Sequence, residues 1–493
     1  MNNKPNIIYV ITDQHRKNAM GFWSKDEYKD KMKGVGDPVI TPNMDNFADE
    51  SVVFTQAISN CPLCSPYRGM LLSGRYPENN GVSFNCKAGR TSSLREDIKC
   101  FTDVLSESGY NIGYLGKYHL DMPQMDFDKD GNYVGESGEY YIDGSVYSAE
   151  SCWDTATPAG PKRHSVDYWY SYGTFDVHKN PRYFDNNCVR HEPKEWSPKH
   201  EADEAISYIY NAKNQRDENN PFCLFVAMNP PHGPYNSIDD TDEEIFDKYY
   251  SEDKIKDVNT LLNRPNIQPG AREQESVRYY FSHVTGVDRQ FGRILDAIDQ
   301  RGIKDNTIVV YSADHGEMMG SHGLMGKNVA YEESYLIPLL IRYPKQLKHK
   351  CEDLMINGPD IMPTLLSLAG LKDATPKDID GVDYSYILTE NEEKVIEKPK
   401  SSLFIHHYDE YQRKGVRTNK YTFVIEKTAK GDLKKVMLFD NENDIYQLNN
   451  LELDDIPKED LDFLRVELGK WLKKSNDLWY KQNVFSDFII YPK

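Results

Sequence analysis

The chain has 493 residues, 39% of them hydrophobic, and a formal net charge of −19. This length exceeds one ordinary core, so we expect a large domain and a smaller one. The negative charge argues against sequence-independent binding of nucleic acid, which depends on basic patches. It also repels anionic substrates at long range, so any anion site in this chain must be basic locally.

The first residues and the cysteines exclude further classes of protein. The start, MNNKPNIIYVITDQHR, lacks the pattern of an export signal, and no stretch approaches the roughly 20 apolar residues that span a bilayer. We therefore expect no membrane partner and a cytoplasmic location, or a periplasmic one if a leader has been removed. Eight cysteines are too few for a disulfide scaffold, and Cys61 and Cys64 lack a second pair at zinc-site spacing.

Five apolar runs predict buried, parallel strands. They are Asn6–Thr12, Asn111–Leu115, Phe222–Ala227, Thr307–Tyr311 and Pro338–Arg342. Helical spacing of apolar residues predicts helices over 281–298 and 361–368, closed by Gly302 and Gly370. Strands that alternate with helices indicate an α/β fold in which helices cover both faces of the sheet.

Two regions depart from this alternation. Residues 120–200 are irregular and rich in Gly, Tyr, Asp and Pro, which predicts a long surface insertion that contributes to specificity. Beyond about residue 375, the segments SLFIHHYDE, GVRTNKYTFVIE and KKVMLFD predict antiparallel strands, and LDFLRVELGKWLKK predicts an amphipathic helix. We therefore expect a main α/β domain over residues 1–375 and a smaller α+β subdomain over residues 376–493.

Polar residues follow four of the predicted strands, at the edge where α/β sheets bind ligands. Asp13 and Gln14 follow the first strand, and Asp314 and His315 follow the fourth. Together they could hold a hard divalent cation, which prefers oxygen ligands. Each Asp taken alone is more simply explained as a cap of the next helix or turn.

Basic residues lie at the ends of the other predicted strands. Lys117 and His119 are two positions apart, so in an extended chain their side chains point to the same side. Such a pair suits an oxyanion or a leaving group that needs a proton, although single residues of this kind more often lie on the surface. His232 lies in a stiff PPHGP loop, and Lys327 follows Gly326; each is a weak signal alone.

A series of segments carries a resemblance to a known family. CSPYR at 64–68 matches the signature C-x-P-x-R, and LLSGRYP, GKYHLD, PHGPY, SADHGEMMGSHGLMGK, YEESYLIPLLIRYP and DIMPTLLSLAG follow in the family's order. The chain thereby resembles the type I, formylglycine-dependent sulfatases of the alkaline phosphatase superfamily, and in particular bacterial carbohydrate sulfatases. The resemblance implies a sulfuric ester hydrolase with a large mixed, mostly parallel sheet between helices and a smaller C-terminal α+β subdomain.

The resemblance also implies a role for Cys64. In this family the cysteine is oxidised to formylglycine, whose hydrate attacks sulfur with one hydroxyl and expels sulfate with the help of the other. A formylglycine-generating or anaerobic sulfatase-maturating enzyme is therefore an expected partner. Cys61 has no such role, and we expect it to be a small buried residue.

Further site residues are carried over from the family by position. Asp13, Gln14, Asp314 and His315 fall where the family has its metal ligands, and the metal is usually Ca²⁺. Many members carry Asp in place of Gln14 and Asn in place of His315, and a nitrogen ligand makes Mn²⁺ or Zn²⁺ possible.

The remaining catalytic roles follow from the same resemblance, by position. We expect Arg68 to hold the hydrated aldehyde, and Lys117 and Lys327 to bind sulfate oxygens. We expect His119 to assist the diol and His232 to protonate the leaving oxygen. Asn85 is a further, weaker candidate for the sulfate site.

The expected substrate is a sulfated carbohydrate, attacked at a chain end because a pocket at strand ends admits chain ends best. Tyr168, Trp169, Tyr170 and Tyr172 could stack against a sugar, although ordinary packing explains them slightly better. A second group of residues could contact sugar hydroxyls or a carboxylate. These residues are His178, His406 and His407.

Two other functions are compatible with parts of this pattern. Phosphonate monoester and phosphodiester hydrolases of the same superfamily also use formylglycine, with Gln and His among their metal ligands. They lack the G-K-x-H pair that this chain has at Lys117 and His119. A non-catalytic binding protein with this fold would have lost site residues, and none of the expected ones is missing here.

Overall fold

The computed structural model describes residues 4–87, 90–122, 139–142, 145–148, 154, 156–268, 275–389, 397–407 and 411–492. The strands are β1 Asn6–Thr12, β2 Val52–Phe54, β3 Ala57–Ile58, β4 Asn111–Lys117, β5 Glu139–Ile142, β6 Ser145–Ser148, β7 Tyr168–Tyr172, β8 Tyr183–Phe184, β9 Arg190–His191, β10 Phe222–Met228, β11 Thr307–Ala313, β12 Leu336–Ile337, β13 Leu339–Arg342, β14 Lys350–Glu352, β15 Ile356–Asn357, β16 Ser402–His407, β17 Tyr411–Arg417, β18 Tyr421–Thr428 and β19 Leu433–Asp440. The α-helices are α1 Pro42–Ala48, α2 Cys64–Ser73, α3 Pro77–Asn80, α4 Phe101–Glu107, α5 Ser197–Tyr210, α6 Glu243–Ile245, α7 Ser276–Gln300, α8 Glu332–Tyr335, α9 Ile361–Leu368, α10 Ser385–Leu388, α11 Lys458–Lys474 and α12 Leu478–Lys481.

A ten-stranded mixed sheet lies at the centre, in the order β14-β2-β13-β11-β1-β10-β4-β7-β8-β9. Strands β11, β1, β10, β4 and β7 run parallel to one another. In β1, Ile7, Tyr9 and Ile11 face one hydrophobic core, and Ile8 and Val10 face another. A strand buried on both faces reads as a continuous apolar run, which is why the sequence revealed it.

Helices cover both faces of this sheet, as predicted. On one face, α5 and α7 pack against each other, and the apolar stripe of α7 lies in the core around Val10. On the other face, α2, α4 and α9 pack together. The expected α/β fold with a large, mostly parallel sheet is therefore confirmed.

The fifth predicted strand, β13, does not run parallel to its neighbour. It pairs antiparallel with β11, with Tyr311 opposite Leu340. A parallel pair needs a crossover of a dozen or more residues, usually through a helix. The described residues between β11 and β13 contain only one α-helix, the four-residue α8. The chain therefore turns back at the end of the sheet where β11 finishes, and β13 runs in the opposite direction.

The prediction of an insertion over residues 120–200 is wrong in its second half. Strand β7 pairs parallel with β4 inside the central sheet, and α5 begins at Ser197. Most of residues 123–153 lie outside the described residues. The surface character predicted for the whole segment therefore does not hold for residues 168–172.

The predicted aromatic platform consists of β7 side chains that pack the sheet. Trp169 and Tyr172 are 1% and 3% exposed, and Trp169 stacks on Tyr114. On the opposite face, the Tyr168 hydroxyl donates to Glu204 and the Tyr170 hydroxyl contacts His200, both on α5. Aromatic residues on both faces of a strand indicate burial on both sides, so packing explains this segment and sugar stacking does not.

The C-terminal antiparallel sheet is confirmed, with four strands in the order β16-β17-β18-β19 and the helix α11. The predicted segment GVRTNKYTFVIE divides into β17 and β18 at a turn in which the Thr418 amide donates to the Tyr421 carbonyl. The sheet is attached to the segment before α2, because the Ile405 amide donates to the Asn60 carbonyl over 2.6 Å. Among the described helices, none combines the length and apolar character needed to cross a membrane.

Candidate active site

The carboxyl ends of four neighbouring strands bring the predicted site residues to one edge of the central sheet. Thr12 of β1 is in register with Ala313 of β11 and with Met228 of β10. The next residues along the chain, including Asp13 and Asp314, therefore emerge side by side. Lys117 ends β4, the strand beyond β10.

Cys64 is the first residue of α2 and points into this edge. Its thiol is buried, with Sγ 3.3 Å from His315 Nε2 and 3.6 Å from Asp13 Oδ1. The segment before the helix is fixed by Ser59, whose hydroxyl donates to the Asp314 carbonyl over 2.6 Å. A helix N-terminus favours negative charge, so an anionic group at this position lies in a favourable field.

Asp13 and Asp314 form a fully buried pair of carboxylates whose two oxygens have different partners. The Oδ2 atoms meet cations: Arg68 Nε donates to Asp314 Oδ2 over 3.0 Å, and Lys117 Nζ lies 2.8 Å from Asp13 Oδ2. The Oδ1 atoms turn the other way, 3.3 Å and 3.5 Å from His315 Nε2. One oxygen of each carboxylate thus remains directed at a point shared with Cys64.

The charges of the site control its titration. Burial alone would raise the pKa of Asp13, but Lys117, His232 and His315 hold it well below its usual range. Burial and the neighbouring Asp13 raise the pKa of Asp314 to about 6. Burial opposes protonation of His315, yet Asp314 raises its pKa to about 10. This point in the protein therefore attracts positive charge strongly.

The same atoms fit a divalent metal ion. One ligand atom from each of Asp13, Cys64, Asp314 and His315 lies within 4.8 Å of the others. Gln14 adjoins them, with a left-handed backbone at φ 64° and its amide N–H donating to Asp314 Oδ1 over 3.1 Å. Two carboxylates, an amide oxygen and an imidazole suit a hard or borderline cation, and the negative field at this point is what such an ion needs.

Two lysines and a histidine border the cluster. Lys117 Nζ also donates to Asn229 Oδ1 over 3.0 Å. Lys327 Nζ contacts Gln14 Oε1 and lies 2.8 Å from His232 Nε2. His232 Nδ1 lies 2.7 Å from the Gly233 carbonyl oxygen, and its side chain is 16% exposed. These groups place positive charge and a titratable ring next to Cys64.

His119 and Asn85 lie at the beginning of α2. His119 hydrogen-bonds the Cys64 side chain, and burial lowers the pKa of the His119 ring. Its Nε2 lies 3.1 Å from the Cys86 carbonyl. Asn85 Oδ1 accepts from the Ser65 amide over 3.0 Å. The structure brings both residues next to the predicted nucleophile.

The other three predicted histidines are engaged in internal contacts, and their expected role against substrate stays a prediction. His178 Nε2 lies 2.8 Å from the His232 carbonyl, so His178 supports that loop from behind. His406 is 0% exposed and packs on Tyr411. His407 Nε2 contacts Lys414 Nζ. Burial lowers the pKa of all three rings, to about 4 for His178 and to about 2 for His406.

Three residues that hold the site together were missed from the sequence: Asn229, Tyr235 and Glu317. Asn229 directly follows β10, so the rule that polar residues at strand ends form sites would have found it. Glu317 lies two residues after His315, and its carboxylate accepts from Gln14 Nε2. Tyr235 donates to the same carboxylate over 3.2 Å. Tyr235 and Glu317 lie in PHGPY and SADHGEMMGSHGLMGK, two of the segments that carry the resemblance, but their residue types alone assign them no role there.

Comparisons with known proteins identify the family of this chain. A family model described as Sulfatase matches residues 5–371, and one described as N-sulphoglucosamine sulphohydrolase, C-terminal, matches residues 320–474. An Endo-4-O-sulfatase of Bacteroides thetaiotaomicron is 45% identical, over 99% of this chain and 95% of that protein. An Ulvan-active sulfatase of Formosa agariphila is 32% identical, over 96% of this chain and 81% of that protein.

A solved structure shows the same likeness over the whole fold. It comes from work on the metabolism of multiple glycosaminoglycans by Bacteroides thetaiotaomicron, and it superposes with a TM-score of 0.91 at 44% identity, covering 99% of this chain and 100% of the other. A family match over most of the chain, with relatives of this identity and coverage, shows that the chain belongs to the sulfatase family.

Proposed function

We propose that this protein hydrolyses a sulfate ester of a sulfated carbohydrate through a formylglycine made from Cys64. The observation that carries the proposal is the position of Cys64 at the start of α2, facing the Oδ1 atoms of Asp13 and Asp314 and bordered by Lys117 and Lys327. The likeness to a relative named Endo-4-O-sulfatase over nearly the whole chain supports it.

Cys64 and Arg68 prepare the nucleophile in this proposal. The formylglycine hydrate supplies one hydroxyl to attack sulfur and a second to release sulfate. Arg68 lies one turn along α2 and pairs with both Asp13 and Asp314, so it fixes the carboxylates relative to the first turn of the helix. His119 hydrogen-bonds the Cys64 side chain, so it can exchange a proton with a group at that position.

Lys117 and Lys327 are proposed to bind sulfate oxygens. Two ammonium groups close to the reacting position stabilise the negative charge that develops on those oxygens. Both lie inside a protein with a net charge of −19, so they supply the local positive charge that an anionic substrate requires.

His232 is proposed as the acid that protonates the leaving oxygen. Its Nδ1 faces the Gly233 carbonyl, which can only accept, so Nδ1 carries a hydrogen. Nε2 is therefore the atom that would carry the transferred proton; in this structure it accepts from the Lys327 ammonium, which has to turn toward the substrate before Nε2 can donate. Asp176 Oδ1 lies 3.5 Å from Nδ1 and helps to orient the ring.

Asp13, Gln14, Asp314 and His315 are proposed to hold a divalent cation, with Ca²⁺ first among the candidates because three of the four side chains offer oxygen. Such an ion supplies positive charge against a sulfate oxygen. Chelation should lower activity on the order of 10²-fold, and Ca²⁺ should restore it better than Mn²⁺ or Zn²⁺. Full recovery with Mn²⁺ or Zn²⁺ alone would assign the site to that metal.

We propose internal sulfated residues of a polymer as the substrate, in place of the chain ends expected from the sequence. The name of the relative that is 45% identical supports endo action.

We also propose that residues 1–375 carry the chemistry and residues 376–493 form a subdomain that supports it. Since Cys64 is only 2% exposed, the maturating enzyme has to act on the chain before this region is folded.

The first experiment weighs the tryptic peptide that contains Cys64, from protein made in its natural host. Formylglycine lowers the mass by about 18 Da relative to cysteine. The same preparation is then given oligosaccharides sulfated at the 4-O, 6-O or 2-O position, and a phosphate diester. Release of sulfate from an internal residue supports the proposal. An unmodified thiol in active protein contradicts the mechanism, and preference for the phosphate diester favours the phosphonate and phosphodiester hydrolases.

A further inference from the structure

Glu317 is a fully buried glutamate whose carboxylate lies directly behind the proposed metal ligands. Its Oε2 accepts from Gln14 Nε2 and from the Tyr235 hydroxyl, the latter over 3.2 Å. Its Oε1 accepts from the amides of Met319 and Gly326, over 2.9 Å and 2.6 Å. All four partners are donors, so both oxygens of Glu317 are required as acceptors.

The backbone of Gln14 is already fixed by other contacts. Its amide donates to Asp314 Oδ1 over 3.1 Å, and the Tyr280 hydroxyl donates to its carbonyl over 2.8 Å. The remaining question is which end of the side-chain amide faces the cluster, since the oxygen can only accept and the nitrogen can only donate. Gln14 Nε2 donates to the Glu317 carboxylate, and the Lys327 ammonium donates to Gln14 Oε1.

We propose that Glu317 is a positioning residue that selects the orientation of the Gln14 amide, so that Oε1 and not Nε2 is presented to the cation. This inference rests on the proposed metal role of Gln14. A carboxylate at position 14 would present oxygen in either orientation and would repel Glu317. The pair Gln14 and Glu317 therefore acts as one unit, in which the amide needs the acceptor behind it.

The same carboxylate fixes two loops of the site relative to Gln14. Gly326, which donates to Oε1, immediately precedes Lys327. Tyr235, which donates to Oε2, belongs to the loop that carries His232. A glutamine at position 317 has one acceptor only, so it must either give up the Met319 and Gly326 amides or turn its own NH₂ toward Gln14. In the second arrangement Gln14 rotates and directs its NH₂ at the cation.

The test is a double-mutant cycle on metal affinity, measured by calorimetric titration of Ca²⁺ into the chelator-treated full chain. Glu317→Gln should weaken Ca²⁺ binding about 10- to 100-fold, the usual effect of losing a group that orients a ligand. In the Gln14→Leu background, which has no amide to orient, the same change should have a much smaller effect. An equal loss in both backgrounds would mean that Glu317 acts only through its charge or through the loops, and would overturn the inference.

A reciprocal exchange provides the second arm. In the variant that combines Gln14→Glu with Glu317→Gln, the new side-chain amide at position 317 can donate to the new carboxylate at position 14. Its oxygen keeps the two backbone amides, so Ca²⁺ affinity should recover most of what Glu317→Gln alone loses. No recovery would contradict the proposal, and this arm remains informative if the leucine variant does not fold. Glu352→Gln, at a buried glutamate on the edge strand β14, is the matched control and should leave Ca²⁺ affinity unchanged.

The outcomes separate this inference from the proposed function. If the unaltered protein binds Ca²⁺ and shows the predicted coupling but releases no sulfate from any ester, the proposed function fails and the role of Glu317 stands. If sulfate is released and the coupling is missing, the role of Glu317 fails alone.

Discussion

Among the described residues, two buried clusters combine a lysine, a histidine and an aspartate, and the lysine has a different place in each. In the C-terminal sheet, Lys414 Nζ contacts both His407 Nε2 and Asp477 Oδ2, so the ammonium occupies the centre and satisfies its neighbours. At the strand ends, Lys117 takes one oxygen of Asp13 and leaves the other directed at Cys64. Glu78, His407 and Asp477 also bring ligand atoms within 4.8 Å of one another, so the two clusters differ in what occupies the shared point: the Lys414 ammonium in one and the Cys64 thiol in the other.

The largest expected effect concerns the two cysteines of the C-x-x-C pair. Cys64→Ala removes the group that is proposed to become the nucleophile, so sulfate release should fall on the order of 10⁴-fold or more. Cys61→Ala, three residues away and also buried, should keep activity within the same order of magnitude. Initial rates on one sulfated oligosaccharide check both variants. Retained activity without Cys64 would remove the basis of the proposed mechanism.

The C-terminal cluster should respond in stability and hardly in activity. Lys414→Met leaves Asp477 buried without its cation, and breaking such a pair costs about 3–5 kcal/mol of unfolding free energy. Both side chains are 1% exposed, so solvent cannot replace the lost contact. Urea denaturation measures the loss, and kcat/KM of the folded fraction should stay near the unaltered value. A large fall in kcat/KM would show that this cluster belongs to the site.

The strand-end cluster should respond in activity. Lys117→Met removes one proposed sulfate contact, and losing one such donor costs about 10² to 10³ in rate. Steady-state kinetics should show the loss mainly in kcat, because the charge it stabilises develops in the transition state. If Lys117→Met and Lys414→Met both lost stability and neither lost rate, the proposed difference between the two clusters would be contradicted.

The sequence was sufficient for the parts of this comparison that depend on local pattern. Buried strands appear in the sequence as apolar runs. The sequence alone therefore located β1, β4, β10 and β11 and placed the polar residues that follow them on one edge of the sheet. His406 and His407 gave the opposite result. Histidines in a predicted strand look the same whether the ring faces substrate or Lys414, because that depends on packing between segments that are distant in sequence.

The remaining errors have the same origin. Strand β7 was hidden because it lies in a segment that is irregular and rich in Gly, Tyr, Asp and Pro, and only its pairing with β4 shows that it belongs to the central sheet. The direction of β13 depended on the connection after β11, which carries the site loop and, among its described residues, no long helix. Glu317 was missed because its importance lies in four contacts, three of which join it to Gln14, Tyr235 and Gly326, and no local pattern indicates them.

The smallest expected effect tests whether the C-terminal histidines are structural, through the dependence of stability on pH. Burial lowers the pKa of His406 to about 2, against about 6.5 in an unfolded chain. The unfolded state therefore binds a proton that the folded state does not, and stability should fall as the pH drops below about 6.5, by up to about 1.4 kcal/mol per pH unit for this ring. His406→Gln removes that contribution, so the slope between pH 6.5 and 4.5 should be shallower by this amount in urea denaturation. An unchanged slope in the His406 variant would mean that the ring is protonated in the folded protein, and a role in contacting an anionic substrate would then become the better explanation.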